Sequence, residues 1–340
     1  MMGVSRPTVR WALDRLAEEG VIRRRQGRGT FVNRRPTETA PLRTATHTIG
    51  MVVPDIENPY LARIVKGAER AAFDREYHLV VCNTHRDKNL EIEHLRRLNN
   101  RHVDAMVTYP QLDNVVNPAY RELLMGLKAA GMPLVMVDRY IAGVPVSSIL
   151  TDNIRGGYLA TEHLIAQGRH RIICIGSFGP EGGISNDDRL RGYKQTLADH
   201  DVKYSRVLDT VQSHDVEGIT QRMVAEDLDR TGGKPDYDAI FTLQDNIAYG
   251  AYLALREAGL RVPEDVALVG FDNLDSERFK VIGLNLSSIA QPDTQMGKAA
   301  VEMVLKQAAS GPNGDGHHVT LPPRLMVRTS CGKKPLIVDC

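Results

Sequence analysis

From Thr48 onwards the chain alternates short apolar runs with longer stretches of helical periodicity. TIGMVVP opens the pattern as a strand over 49–53; Asn58-Pro59 breaks it, and Tyr60 to Tyr77 reads as a helix. HLVVCNT is the next strand, followed by a helical stretch from Lys88 to Arg101. A third strand falls at Ala105–Thr108, then a helix near Ala119–Ala130 ending at Gly131, and a fourth strand over Pro133–Val137. The alternation resumes with helices over 154–167, 188–199, 217–230 and 246–258, and strands over 171–176, near 206–211, 239–243 and 266–271. Strands alternating with helices predict parallel sheets covered on both faces. Two such runs predict an α/β fold of two similar subdomains in tandem, although no strict sequence repeat links them.

The stretch Val4 to Val32 follows a different pattern. Ser5 is suited to cap a helix, since its hydroxyl accepts from an otherwise unpaired first-turn N–H. Val4 and Val9 stand at the spacing of a hydrophobic staple, and Pro7 falls in the first turn. Val9, Leu13, Leu16 and Ala17 mark one apolar face, while Arg6 and Arg10 lie one turn apart on another, with Thr8 beside them. Gly20 stops the helix. Val21 and Ile22, a basic run, the turn Gln26-Gly27-Arg28-Gly29, and Thr30-Phe31-Val32 then read as a β-hairpin. A basic helix followed by a basic hairpin suits a major groove and a flanking backbone or minor groove. Residues 33–47, rich in Pro, Thr and Ala, read as a linker.

Charge sharpens this division. Residues 1–35 hold nine arginines against Asp14, Glu18 and Glu19, a net of +6; the whole chain is +1, so the remainder carries −5. A basic head on a mildly acidic body points to a polyanion partner for the head. The length of 340 residues exceeds one compact core, so two or three domains are expected. The four cysteines (82, 174, 331 and 340) show no metal-like spacing; Cys82 and Cys174 lie in strand-like runs and read as buried free thiols. No signal peptide and no bilayer-length apolar run is apparent, so a reducing cytoplasm is the expected compartment.

SRPTVRWAL followed by EEGVIRRRQGRGTFV resembles the second half of the winged helix-turn-helix domain of GntR-family regulators. The resemblance implies that the first segment is the recognition helix and the second the wing. Ser5, Arg6, Thr8 and Arg10 would then contact bases and phosphates. Gln26, Gly27 and Arg28 would approach the backbone or minor groove, with Gly27 and Gly29 needed for close approach. The two helices that support this pair in the family would precede Met1-Met2-Gly3. A truncated head, explained by a start assigned too far downstream, is therefore the expectation; mass spectrometry of the native N-terminus tests it.

In open α/β sheets, ligands bind beyond the carboxyl ends of strands. The predicted strands are followed by Asp55, Asn58 and Tyr60; by Asp138 and Arg139; by a Gly-rich loop and Arg189; by Gln244, Asp245 and Asn246; and by Asp272 and Asn273. Carboxylates, amides and guanidinium groups of this kind form paired hydrogen bonds with neighbouring hydroxyls, so a neutral polyhydroxylated ligand such as a sugar fits. Helix capping alone accounts for part of this set, since Asp and Asn after strands are common N-caps.

The segments IGMVVPDIENPYLARIVKGAE, PLVMVDR, TEHLIAQGRHRIICIG, DRLRGYKQTL, LREAGLRVPEDVALVGFDN and SSIAQPDTQMGKAAVEMVL resemble the effector domain of LacI-type repressors, related to periplasmic sugar-binding proteins. The resemblance covers 48–332. It implies a periplasmic-binding-protein-like type I fold, with subdomain 1 near 48–150 and 290–317 and subdomain 2 near 151–289 and 318–332. It places the effector in the cleft between them, with its motif positions falling on Tyr60, Leu61, Asp138, Arg189, Gln244 and Asp272; the strand-end residues Asp55 and Arg139 complete the candidate contacts. Gln244 stands where many relatives have Asn. The segment near His214-Asp215 often supplies a stacking aromatic; none is present, leaving Tyr60, Phe178 or Phe271 to serve.

A GntR-type head on a LacI-type body resembles arabinose-repressor-like transcriptional regulators, which implies L-arabinose as effector. A homodimer reading palindromic operator DNA is expected, with dimer surfaces near Ile64–Ala71 and Leu90–Leu98 unless those faces merely cover the sheet. Effector binding would change DNA affinity through linkage. A sugar sensor without DNA-binding competence is the alternative. An enzyme is disfavoured, because no nucleophile elbow, HExxH, P-loop or metal cluster occurs. His163 and His170 read as packing or capping residues, and Gly179–Gly183 as a flexible turn. Neither cofactor, metal nor membrane is expected.

Overall fold

The computed structural model describes residues 6–18, 22–25, 29–32, 45–210, 215–274, 277–310 and 316–332. The chain divides into two units, Met1–Thr46 and His47–Cys340. In the first, α1 (Arg6–Glu18) precedes an antiparallel hairpin of β1 (Ile22–Arg25) and β2 (Gly29–Val32), with Ile22 opposite Val32 and Arg25 opposite Gly29. On α1, Val9 and Leu16 are exposed, Leu13 and Ala17 half-buried, and Thr8 and Arg10 exposed. Ser5, Gln26, Gly27 and Arg28 lie outside the described residues, as does most of the expected linker.

The second unit holds two six-stranded sheets. The first is built from β3 (Thr48–Val53), β4 (His78–Asn83), β5 (Ala105–Thr108), β6 (Leu134–Val137), β7 (Ser147–Thr151) and, from much later in the chain, β13 (His318–Leu321). Its order is β13-β7-β6-β5-β3-β4, with every pairing parallel. Helices α2 (Pro59–Phe73), α3 (Lys88–Asn100), α4 (Leu112–Val115), α5 (Pro118–Ala129) and α11 (Asp293–Ser310) cover it. Strands β3, β5 and β6 are buried almost throughout, which is why they read as continuous apolar runs rather than alternating ones.

The second sheet comprises β8 (Ile172–Gly176), β9 (Arg206–Asp209), β10 (Ala239–Thr242), β11 (Ala267–Phe271), β12 (Ser287–Ala290) and β14 (Arg324–Met326). The order is β14-β12-β11-β10-β8-β9, with β14 alone antiparallel. Around it pack α6 (Asn153–Ala166), α7 (Gly179–Asp199), α8 (Val216–Arg230), α9 (Asp245–Glu257) and α10 (Glu277–Val281).

The chain crosses between the sheets three times: after Thr151, after Ala290 and after Leu321. The third crossing comes later than the expected position near 317, because β13 pairs with β7 and so completes the first sheet. Strands β7, β12, β13 and β14 escaped the periodicity reading. They are short or carry polar residues, and long-range pairing rather than local pattern makes them strands. The expected turn at Gly179–Gly183 is instead the start of α7, broken at Gly183.

Most of the proposed dimer faces is covered inside the fold, although Leu90 stays exposed. Ile64, Ala68 and Ala71 are buried in the core beneath α11, and Leu95 and Leu98 in the core on the opposite face. The two helices α2 and α11 meet so closely that a Cβ on Gly67 would lie 2.0 Å from the Thr294 carbonyl oxygen.

Candidate functional site

A cavity of about 470 Å³ lies between the sheets and is lined by residues that follow strands of both. Asp55, Tyr60, Leu61, Asp138 and Arg139 come from the first subdomain, and Arg189, Gln244 and Asp272 from the second; all eight line it.

Asp138 and Asp272 occupy matching places. Each follows a central strand, β6 or β11. The Asp138 N–H donates to the Ile149 carbonyl of β7 at 2.8 Å, and the Asp272 N–H to the Ile289 carbonyl of β12 at 2.9 Å. Both have positive φ, 68° and 104°. That region is costly for a residue with a side chain, and Asp and Asn tolerate it better than most. The sheet hydrogen bonds hold each carboxylate at the cleft despite the strain. The two-fold likeness absent from the sequence is therefore present in the backbone.

Two tyrosines engage the first of these carboxylates. Tyr60 OH donates to Asp138 Oδ1 at 2.7 Å, and Tyr109 OH to Oδ2 at 2.6 Å. Burial pushes both phenols well above their ordinary pKa, with Asp138 adding to the rise, so they stay neutral donors. Tyr60 is placed by its helix start: Asn58 caps α2 by accepting from the Tyr60 N–H at 2.9 Å. Asn58 thus serves as a cap and as a cleft residue at once.

Gln291, after β12, links the two halves. Its Oε1 accepts from Thr151 Oγ1 at 2.8 Å and lies 3.1 Å from the Tyr60 hydroxyl oxygen, and its Nε2 donates to Asp272 Oδ1 at 2.7 Å. Arg63 on α2 also spans the halves. It pairs with Asp293 at 2.5 Å and donates to the Asp272 carbonyl at 3.1 Å.

Arg189 is buried. Nε donates to Asn153 Oδ1 at 2.9 Å, Nη1 donates to the Leu243 carbonyl at 2.6 Å, and Asp272 lies 3.6 Å away. Its guanidinium stacks 3.7 Å from the Phe271 ring centroid. Phe271 is therefore a floor beneath Arg189 rather than a stacking surface for ligand, and neither it nor Phe178 lines the cavity. Burial raises the Asp272 carboxyl to about 6, against the lowering pull of Arg189 and Gln291. Asp245, buried behind it, is also raised by burial; it accepts from Ser288 Oγ at 2.7 Å and from the Leu274 N–H at 2.6 Å.

The other lining residues include Arg86, Tyr109, Gln111, Leu112, Asn186, Thr210 and Gln291. Tyr109 directly follows β5 and was within reach of the strand-end rule. Gln291 was not, because its strand was not recognised. Among the described residues no group of three His, Cys, Asp or Glu side chains could hold a metal ion. His163 packs instead, with Nε2 3.1 Å from the buried Cys331 Sγ. Cys174 is buried and Cys82 half-buried.

Two lobes of mostly parallel sheet joined by three crossings, with carboxylates, amides and a buried arginine lining the space between, define a two-lobed small-molecule-binding protein. Comparisons with known proteins agree. Residues 161–331 match the periplasmic binding protein-like domain family, and residues 1–32 the bacterial regulatory proteins of the gntR family. The chain is 32% identical over 286 residues to the ribose operon repressor of Haemophilus influenzae, covering 84% of this chain and 81% of that one. It is 29% identical over 328 residues to the arabinose metabolism transcriptional repressor of Geobacillus stearothermophilus, covering 96% and 87%. A solved LacI family transcriptional regulator from Enterococcus faecium with bound ribose superposes with a TM-score of 0.67 at 29% identity, covering 84% of this chain and 98% of that one. The chain belongs to the LacI-type, periplasmic-binding-protein-like transcriptional repressors, with a gntR-type segment at its N-terminus.

Proposed function

We propose that this chain is a transcription repressor whose affinity for operator DNA is set by a neutral, unphosphorylated aldopentose held between the two lobes. The observation that carries the reading is charge pairing in the cleft. Arg86 pairs with Asp55 at 2.8 Å, Arg189 lies 3.6 Å from Asp272, and Arg139 4.0 Å from Asp138. Arg139 also donates to the Pro110 carbonyl at 2.8 Å. Every arginine lining the cavity thus faces a carboxylate, and none is left uncompensated for a phosphate. Asp138 and Asp272 retain acceptor capacity for sugar hydroxyls, and Gln244 adds an amide. Asp55, Tyr60, Leu61, Asp138, Arg139, Arg189, Gln244 and Asp272 are the proposed contacts.

L-Arabinose and D-ribose are the two effectors that the named relatives suggest. Closure around the sugar shifts the balance between arrangements of the lobes, and DNA affinity changes by the same coupling factor. The head supplies Ser5, Arg6, Thr8, Arg10, Gln26, Gly27 and Arg28 as proposed DNA contacts. A homodimer is retained, but its surface must lie elsewhere than the buried faces of α2 and α3; Phe73 at the end of α2 and Val80 on edge strand β4 are exposed candidates. Among the described residues no helix is long and apolar enough to cross a membrane, and operator binding places the protein in the cytoplasm. A non-catalytic role fits relatives that are repressors.

Thermal-shift titration with L-arabinose, D-ribose and ribose 5-phosphate tests the reading. A neutral pentose should raise the melting temperature and the phosphate should not. Preference for the phosphate would overturn it. A gel shift showing no salt-sensitive DNA binding would favour a sensor acting without DNA.

A further inference from the structure

Several contacts join the two lobes. Gln291 and Arg63 lie at the crossings, and Leu274 packs against the apolar cores of both lobes. A further contact comes from the kink in α7 and is explained by no crossing. Gly183, with φ 74° and ψ 167°, sits in a backbone region essentially reserved for glycine. A Cβ there would lie 2.5 Å from Cδ2 of Leu112, which belongs to the opposite lobe. Two residues on, Ser185 Oγ reaches the Asp138 carbonyl of that lobe at 3.5 Å. Only glycine satisfies both the torsion and the space, and the vacancy it leaves receives the Leu112 side chain.

The wall carrying Leu112 is fastened from behind. Glu91 on α3 is fully buried and does not reach the cavity. Its Oε2 accepts from Asn114 Nδ2 at 2.8 Å and from the Gln111 N–H at 3.1 Å, and its Oε1 from Tyr120 OH and from Thr108 Oγ1 at 3.4 Å. One carboxylate thereby ties β5, the turn after it, α4 and α5 to α3. None of these partners is a cation. A buried carboxylate held by neutral donors alone is a demanding arrangement, and its geometry is correspondingly well determined.

We propose that Leu112 is the closing side chain of the effector cleft, seated against Gly183 and held in place from behind by Glu91. Contact between lobes away from the crossings is lost when they separate, so it acts on release of the bound sugar more than on its entry. Glu91 is a positioning residue: it touches neither sugar nor the opposite lobe and acts through Leu112. The proposal rests on the effector reading above and adds to it the residue that governs residence.

The test is release of a radiolabelled pentose into unlabelled excess, measured on the full chain alongside melting temperature and association rate. Leu112→Ala should release at least about fivefold faster, with association within about twofold of the unsubstituted chain, as expected when affinity changes reside in dissociation. Glu91→Gln should move release in the same direction, and Tyr120→Phe, which removes one donor to Glu91, should follow it more weakly. Val116→Ala, an exposed residue next to the same wall, should leave release unchanged. Unchanged release from Leu112→Ala overturns the proposal, as does a Glu91→Gln chain that melts earlier but releases normally. An unsubstituted chain that binds no pentose overturns the effector reading, and this one with it.

Discussion

Acidification from about pH 7.5 to about pH 5 is expected to weaken effector binding roughly tenfold, because it protonates Asp272. The carboxyl is raised by burial to about 6, with Asp138 adding to the rise and Arg189, Gln291 and Arg63 opposing it. Ionised, it accepts from Gln291, pairs with Arg189 and offers its remaining lone pairs to sugar hydroxyls. Protonated, it loses the ion pair and part of that acceptor capacity. If only the ionised form binds, affinity near pH 7.5 is almost full, whereas one pH step below the pKa leaves about a tenth of the protein competent. Stability runs the other way. A carboxyl whose folded pKa exceeds its unfolded value stabilises the fold at low pH, and that contribution is lost as pH rises through about 6. The gap between about 6 and 3.8 corresponds to about 3 kcal/mol. Sugar-free protein therefore gains from this group on acidification while sugar binding declines. Isothermal titration across this range, paired with melting curves without sugar, reads both. Asp272→Asn should remove the pH step. Affinity independent of pH in the unsubstituted chain, or a step of equal size in Asp272→Asn, would refute the reasoning.

Arg189→Ala should abolish the sugar-induced melting shift and destabilise the sugar-free protein by about 3–5 kcal/mol, since it strips a buried charge from Asp272; denaturant titration gives the second number. Arg189→Lys should rescue little, because one ammonium cannot reach Asn153, the Leu243 carbonyl and Asp272 while stacking on Phe271. Gly67→Ala should lower the melting temperature without altering sugar preference, as its methyl would press on the Thr294 carbonyl and force α2 from α11. In the head, Arg10→Ala should weaken DNA binding on all sequences alike and reduce the salt slope of log K by about one, measured by anisotropy at several salt concentrations.

Legibility differed from residue to residue. The core strands announced themselves: TIGMVV and LVMV are unbroken apolar runs bounded by polar breaks, and both are central strands. The strand-end rule led to Asp138 and Asp272 because each directly follows such a run. It missed Gln291 because SSIA carries two serines and becomes a strand only by lying between β11 and β14. Ile64, Ala68 and Ala71 looked available as a dimer surface. An apolar helical face says only that something covers it, and the cover here is α11, more than two hundred residues later. Phe271 read as a stacking aromatic, yet it lies beneath Arg189 and out of the cavity.

The class of protein can be read from the residues in order. Local periodicity names helices and parallel strands, segregated charge separates a basic head from an acidic body, and extended motifs tie each to a family. These properties are carried by neighbouring residues and survive without coordinates. The arrangement of the cleft comes from the folded chain. Pairing of Arg189 with Asp272 and of Arg86 with Asp55, the equivalence of Asp138 and Asp272, the bridge through Gln291 and the seat of Leu112 on Gly183 all join residues distant along the chain. Hydrogen bonds and steric exclusion act over a few ångströms, so which distant residues share that distance is settled by the fold and not by their spacing in the sequence.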